Sequence, residues 1–162
     1  MGAGGRAGGV TLHDLVQWPV LPDRAVQVAL RLGYRLMRHW WRRFPPHHHR
    51  GAGILVRDGE RVLIVRHSYR PGYGLPGGRV QPGEAPREAA MRELVEECAI
   101  AAPAEALRYL GEVNRTHIYE YRPPHRPRIR IDNREVIEAL FLSPAEAIGR
   151  NRYLRPFMEL VG

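Results

Sequence analysis

The chain has 162 residues, of which 25 are basic and 17 acidic, every basic one is an arginine, and the formal net charge is +8. That length suits one domain with a core of its own plus an appendage and excludes two independent domains. No segment approaches the ~20 consecutive apolar residues of a membrane span, and the lone Cys98 excludes an intrachain disulfide and makes a reducing cytoplasm the expected setting.

The charge favours anionic partners by long-range attraction without choosing among nucleotides, nucleic acid and acidic lipid. Residues 1–22 open on a glycine-rich stretch and are expected to be flexible. Asp23 can cap a helix that runs to about Arg43 and must stop before Pro45 and Pro46. On it Val26, Leu30, Gly33, Met37, Trp40 and Phe44 recur at helical spacing, while Arg31, Arg35, Arg38 and Arg42 decorate the other side. Such an amphipathic basic helix is expected to pack on its own domain or on a second subunit as a homodimer. An anionic membrane surface, which Trp40 and Trp41 suit, and RNA are the alternatives not favoured. His47, His48 and His49 read as an exposed linker that completes the segment 23–50.

Two β-rich runs follow, Gly51 to Arg57 and Arg61 to His67, joined by the hairpin signal Asp58-Gly59. A loop of Gly72, Gly74, Pro76, Gly77, Gly78, Pro82 and Gly83 then allows backbone to come close to a ligand. Behind it a helix is predicted from near Pro86, which suits a first helical turn, to about Cys98. At ~100° per residue Glu93, Glu96 and Glu97 share one arc, while Ala90, Met91, Leu94 and Cys98 lie on another. Like charges at these spacings cost roughly 0.2–0.5 kcal/mol each on a bare helix. A solvated acidic face partnered by Arg87 and Arg92 is one reading, and a divalent cation that reverses the sign of the interaction is the other. Later strands are predicted at Leu107 to Val113, Thr116 to Arg122 and Val136 to Leu142, and Ser143-Pro144-Ala145-Glu146 announces a short helix. The five arginines between Arg122 and Arg134 read as a solvated basic loop, and the tail 151–162 carries no pattern.

The segment from Gly78 to Ile100 resembles a Nudix box: Gly78, Glu84, Arg92, Glu93, Leu94, Glu96, Glu97 and Ile100 stand at the family's spacing, preceded by the family-like run Leu75 to Gly78. Ala99 stands where the family usually has a glycine that closes the helix. The resemblance implies an α/β fold, a Nudix-like α/β/α sandwich with a mixed β-sheet over residues 51–150, to which the N-terminal amphipathic helix is added. It also implies hydrolysis of a pyrophosphate bond in a nucleoside diphosphate linked to another moiety, with Mg²⁺, or Mn²⁺ as the alternative. By resemblance Glu93, Glu96 and Glu97 are the metal ligands, the Gly77 or Gly78 carbonyl completes the shell, and Glu93 or Glu97 polarises water. Arg92 is expected to tie Glu84 to the helix. A further carboxylate from a later strand is expected at Glu138, with Glu135 as runner-up. Arg66, Tyr69, Arg70 and Tyr73, with Gly77, are the expected substrate contacts. Removal of pyrophosphate from an RNA 5′ end and a weakly catalytic ligand-binding or membrane-attached module are the competing functions.

Overall fold

The computed structural model describes residues 23–43, 50–131 and 133–161, with side chains of the first helix described over 24–36. The expected flexible segment 1–22, the side chains of Met37, Arg38, Trp40, Trp41 and Arg42, and Phe44 with His47–His49 lie outside the described residues.

Helix α1 spans Asp23–Arg43, and the first two strands are β1 (Gly51–Asp58) and β2 (Arg61–His67). Asp58 is paired with Arg61, so the tight turn is Gly59-Glu60, one residue later than the hairpin signal suggests. The register is set by alternation along β2: Leu63 and Val65 face one core, Val62 and Ile64 the other. Two short strands follow, β3 (Tyr73–Gly74) and β4 (Gly77–Arg79), then helix α2 (Pro86–Cys98). The remaining strands are β5 (Leu107–Val113), β6 (Thr116–Tyr121) and β7 (Val136–Leu142). The sheet is mixed, ordered β3-β2-β1-β6-β5, with β4 added to β1 and β7 to β2; β1 and β6 are the parallel pair.

Helix α2 covers one face, where Ile54, Val56, Leu63, Val65, Leu94 and Cys98 are fully buried. Tyr119 and Tyr121, two residues apart and therefore on the same side of β6, join that core. Burial pushes the Cys98 thiol up to about 12, so it behaves as a packing group. The other face is covered by α3 (Pro144–Arg150) and by the tail, which winds into short helical turns around α4 (Arg155–Met158). Ser143 and Glu146 form the expected capping box, and Leu154 and Met158 are buried with Leu55, Ile64 and Ile118. A sheet between two helical layers is the α/β/α sandwich.

Helix α1 meets the core through a polar seam. The Gln27 side-chain amide donates to Asn133 O at 2.7 Å, Arg31 Nε donates to Ser68 O at 2.7 Å, and Tyr34 packs on Tyr69 with ring centroids 5.3 Å apart. Val26 and Leu30 are half-buried, whereas Val28, Leu32 and Leu36 are exposed. The basic side thus turns partly inward, because the surface it meets offers backbone carbonyls and a ring rather than an apolar groove. Among the described residues no helix is long and apolar enough to cross a membrane.

Candidate active site

The site lies where β4 and the C-terminal half of α2 come together. Pro86 occupies the first turn, where the missing N–H costs nothing, and Glu88 accepts from the Ala85 N–H at 2.9 Å. This is half a capping box, since alanine has no acceptor to supply the other half. At the far end Ala99 takes the left-handed conformation, φ 55° and ψ 34°, and the N–H groups of Ala99 and Ile100 close on Val95 and Leu94 carbonyls. The helix therefore ends with the chain reversal that the usual glycine provides, built on an alanine.

Arg92 organises the acids. Its Nε and Nη2 donate to the two oxygens of Glu84 at 2.8 and 3.2 Å, and Nη1 donates to Glu93 at 2.7 Å and to Glu96 at 3.0 Å. Nη2 also holds the Arg79 carbonyl at 3.1 Å, so one planar cation ties loop, strand and helix together. Its bonds to Glu84, and the Gln81 N–H, hold the Glu84 carboxyl below its ordinary range. Burial raises the Glu93 carboxyl, against the pull of Arg92, and the nearby Glu97 and Glu96 raise it further.

Glycines bring backbone into this cluster. Gly77 has φ 150°, and a Cβ there would run into the Ala52 carbonyl and the Gly53 Cα of β1. A Cβ on Gly78 would enter the Glu93 carboxylate. The Gly77 N–H donates to Glu97 Oε2 at 3.0 Å.

Glu97 is turned inward and buried. Its Oε1 lies 2.5 Å from Nε2 of His67, also buried, and Arg70 Nε donates to His67 Nδ1 at 3.2 Å. Because an arginine N–H can only donate, Nδ1 is the acceptor, which leaves the hydrogen on Nε2 to be donated to Glu97. His67 is a member of the site that the sequence reading missed. The available signal was its place at the end of β2 in phase with Leu63 and Val65, on the face that α2 covers. One ligand-type atom each from His67, Glu97 and Glu135 lies within 4.8 Å of the others.

The other expected residues divide by sheet face. Arg66 and Glu138 are register partners on β2 and β7, and Glu138 Oε2 accepts from Arg66 Nε at 2.8 Å and from Tyr73 OH at 2.7 Å. These bonds hold the Glu138 carboxyl below its ordinary range. Glu138 is in phase with Leu140 and Leu142, which pack on the layer opposite α2. The structure thus places Glu138 with Arg66 and Tyr73 across the sheet from the acidic cluster, and Glu135 is the late carboxylate beside Glu97. Glu135 Oε1 also accepts from Tyr69 OH at 3.1 Å, and burial leads the rise of the Tyr69 hydroxyl above its ordinary pKa.

The residues present fit a divalent cation: they are hard oxygen donors, three from one helix face, with a backbone approach kept open by Gly78 and an arginine that neutralises the excess charge. Beside Gly77 and Gly78 opens a cavity of about 420 Å³ lined by Tyr73, Leu75, Ile118, Tyr153 and Phe157. The Asn151 side chain donates to Tyr73 O at 2.6 Å on its wall. Asn151, Tyr153 and Phe157 come from the tail, whose sequence has no periodicity to announce them.

Comparison with known proteins agrees with this geometry. Over 53 residues the chain is 42% identical to a Bacillus subtilis (strain 168) protein named "Putative 8-oxo-dGTP diphosphatase", covering 33% of this chain and 36% of that one. Over 75 residues it is 41% identical to "Uncharacterized Nudix hydrolase orf19" of Rhodococcus erythropolis, covering 41% and 40%. The chain thus spans little more than a third of the length of these curated relatives. A MutT protein from Methanosarcina mazei Go1 superposes with a TM-score of 0.55 at 23% identity, over 68% of this chain and 90% of that one. A MutT Nudix hydrolase from Burkholderia pseudomallei does so with 0.58 at 20% identity, over 70% and 98%. These two show the shared fold. The family model of the NUDIX domain matches residues 47–159, most of the chain, and the protein belongs to the Nudix family.

Proposed function

We propose that this protein is a metal-dependent hydrolase of the pyrophosphate bond in a nucleoside diphosphate linked to a second group, with Mg²⁺ as the working ion. The observation that carries the reading is the single arginine, Arg92, holding Glu84, Glu93 and Glu96 together next to the glycine approach of β4. Glu93, Glu96 and Glu97, with the Gly78 carbonyl, would hold the ion. Bound there, it would neutralise phosphate oxygens and bring a water to nucleophilic strength.

The chain's own groups supply the rest. Glu97 is oriented by two donors, His67 Nε2–H and Gly77 N–H, and each carboxylate oxygen retains a lone pair for a further partner. Glu93, raised by burial, is the carboxylate best placed in affinity to take a proton from an attacking water. The cavity with Tyr73, Tyr153 and Phe157 suits a flat base, which the names of the relatives, a diphosphatase of 8-oxo-dGTP among them, support. Residues 51–150 form the catalytic unit in this reading, with the tail 151–162 contributing to the base cavity and α1 as an addition.

The test is product release from nucleoside triphosphates, nucleotide sugars, dinucleoside polyphosphates and 5′-triphosphate RNA with Mg²⁺ or Mn²⁺, beside Glu97→Gln. Turnover that requires metal and disappears in the variant establishes the hydrolase. Metal-dependent turnover on no substrate refutes it.

A further inference from the structure

Under α1 lies the largest of the cavities described, about 640 Å³, outside the carboxylate cluster. Four arginines line it: Arg31 and Arg35 from α1, Arg66 from β2 and Arg70 from the loop that follows. Arg66 is already neutralised by Glu138. Among the described residues no carboxylate pairs with Arg31, Arg35 or Arg70. Arg31 spends its Nε on the Ser68 carbonyl and Arg70 its Nε on His67, so each keeps its terminal Nη groups. Three guanidinium groups lining one hollow make it locally positive and favour an anion there.

Arg70 and Tyr69 also line a second hollow of about 580 Å³ between α1 and the glycine approach, with Gly77, Gly78 and Glu135 on its walls. The arginine hollow is therefore continuous in residues with the site, and through Arg70 and Pro71 it also adjoins the cavity of Tyr153 and Phe157.

We infer that Arg31 and Arg35 of α1, together with Arg70, form an anion subsite for the phosphorylated part of the substrate's second group, beyond the bond that is cut. This rests on the hydrolase reading for the word substrate, and on the arginine geometry alone for the anion. It makes α1 a working part of the site: the helix meets the core by a few polar contacts, and a phosphate chain seated between Arg35 and Arg70 would fasten it. It also assigns a substrate class, one whose second group carries phosphate, such as a dinucleoside polyphosphate, over one whose second group is a neutral sugar.

The experiment has two arms on the full chain. Calorimetric titration with inorganic tripolyphosphate in chelated, metal-free buffer is expected to show binding by the wild type that weakens about tenfold in Arg35→Gln, a loss of one charged contact. Among the described residues Arg35 makes no hydrogen bond or ion pair that its loss would break, so this variant leaves α1 in place; Arg31→Gln combined with it should abolish binding, and Glu96→Gln, whose carboxylate meets only Arg92, should leave binding unchanged. No binding, equal binding in Arg35→Gln, or binding lost in Glu96→Gln overturns the subsite whatever the enzyme hydrolyses. In the second arm, KM for a dinucleoside tetraphosphate should rise about tenfold in Arg35→Gln while KM for a nucleotide sugar stays level. A titration that depends on Arg35 with both KM values unmoved would assign the hollow to free polyphosphate and overturn its role in substrate binding.

Discussion

Replacing Ala99 by glycine should stabilise the protein without changing its chemistry. Ala99 sits at φ 55° and ψ 34°, where the Cβ of an L-residue crowds the following carbonyl at a cost of about 1–2 kcal/mol. Glycine removes that crowding but loses more chain entropy on folding, an opposing cost of about 0.5–1 kcal/mol. The midpoints of the two ranges leave a net gain of about 0.75 kcal/mol in favour of glycine. For a domain of this size that is roughly a 1–4 °C rise in Tm. The residue is exposed, and both cap bonds run through backbone N–H groups that glycine retains, so nothing else in the turn is disturbed. Thermal unfolding of the wild type, Ala99→Gly and Ala99→Val would check it, with valine, whose branched Cβ crowds the turn further, expected to fall below the wild type. A Tm for the glycine variant equal to or below the wild type would refute the claim that this turn stores strain, and a change in kcat would refute the claim that it leaves the carboxylates alone.

Gly78→Ala places a methyl group in the space of the Glu93 carboxylate, so metal-dependent turnover should fall by about 100-fold, the scale of misplacing a reacting group by an ångström, with the fold retained by circular dichroism. Arg92→Lys keeps the charge but cannot reach Glu84, Glu93 and Glu96 at once; kcat should drop at least tenfold, and added salt should not restore it. His67→Leu removes the donor that orients Glu97, and Mn²⁺ affinity measured by titration should weaken by about 10–100-fold, as for other groups that orient a metal ligand. For Glu120, burial pushes the carboxyl up but the bonds from Arg122 and Arg108 outweigh it and hold it below its ordinary value. A depressed carboxyl stabilises above its unfolded pKa of about 4.3, and that stability is lost as pH falls through the lower folded value. Denaturant unfolding of wild type and Glu120→Gln should therefore differ most above about pH 5 and converge as the pH falls below the lowered folded value.

Much of the architecture was legible because periodicity is a local property. The span of α2, its proline start and its carboxylate face follow from 3.6-residue spacing, and β5 and β7 have the limits that their composition predicts. The Arg92–Glu84 pairing was also readable, since an arginine among acids in a fixed frame has few other partners. The sequence reading put Glu138 ahead of Glu135, a choice that periodicity does not decide. They are three residues apart, and which of them faces α2 depends on the irregular register at Arg66/His67, where β2 meets β7. His67 was hidden for the same reason, being two strands and a helix away in sequence from the glutamate it orients. The tail shows no pattern because its turns are short, yet Leu154 and Met158 become buried once the opposite sheet face exists to receive them. Sequence alone determined the acids, their spacing and the helix that carries them, because these depend on neighbours within a few turns. Tertiary structure alone decided which distant side chains share that site and which arginines of α1 line the hollow under the helix, because strand register and helix docking bring together residues that no local spacing relates.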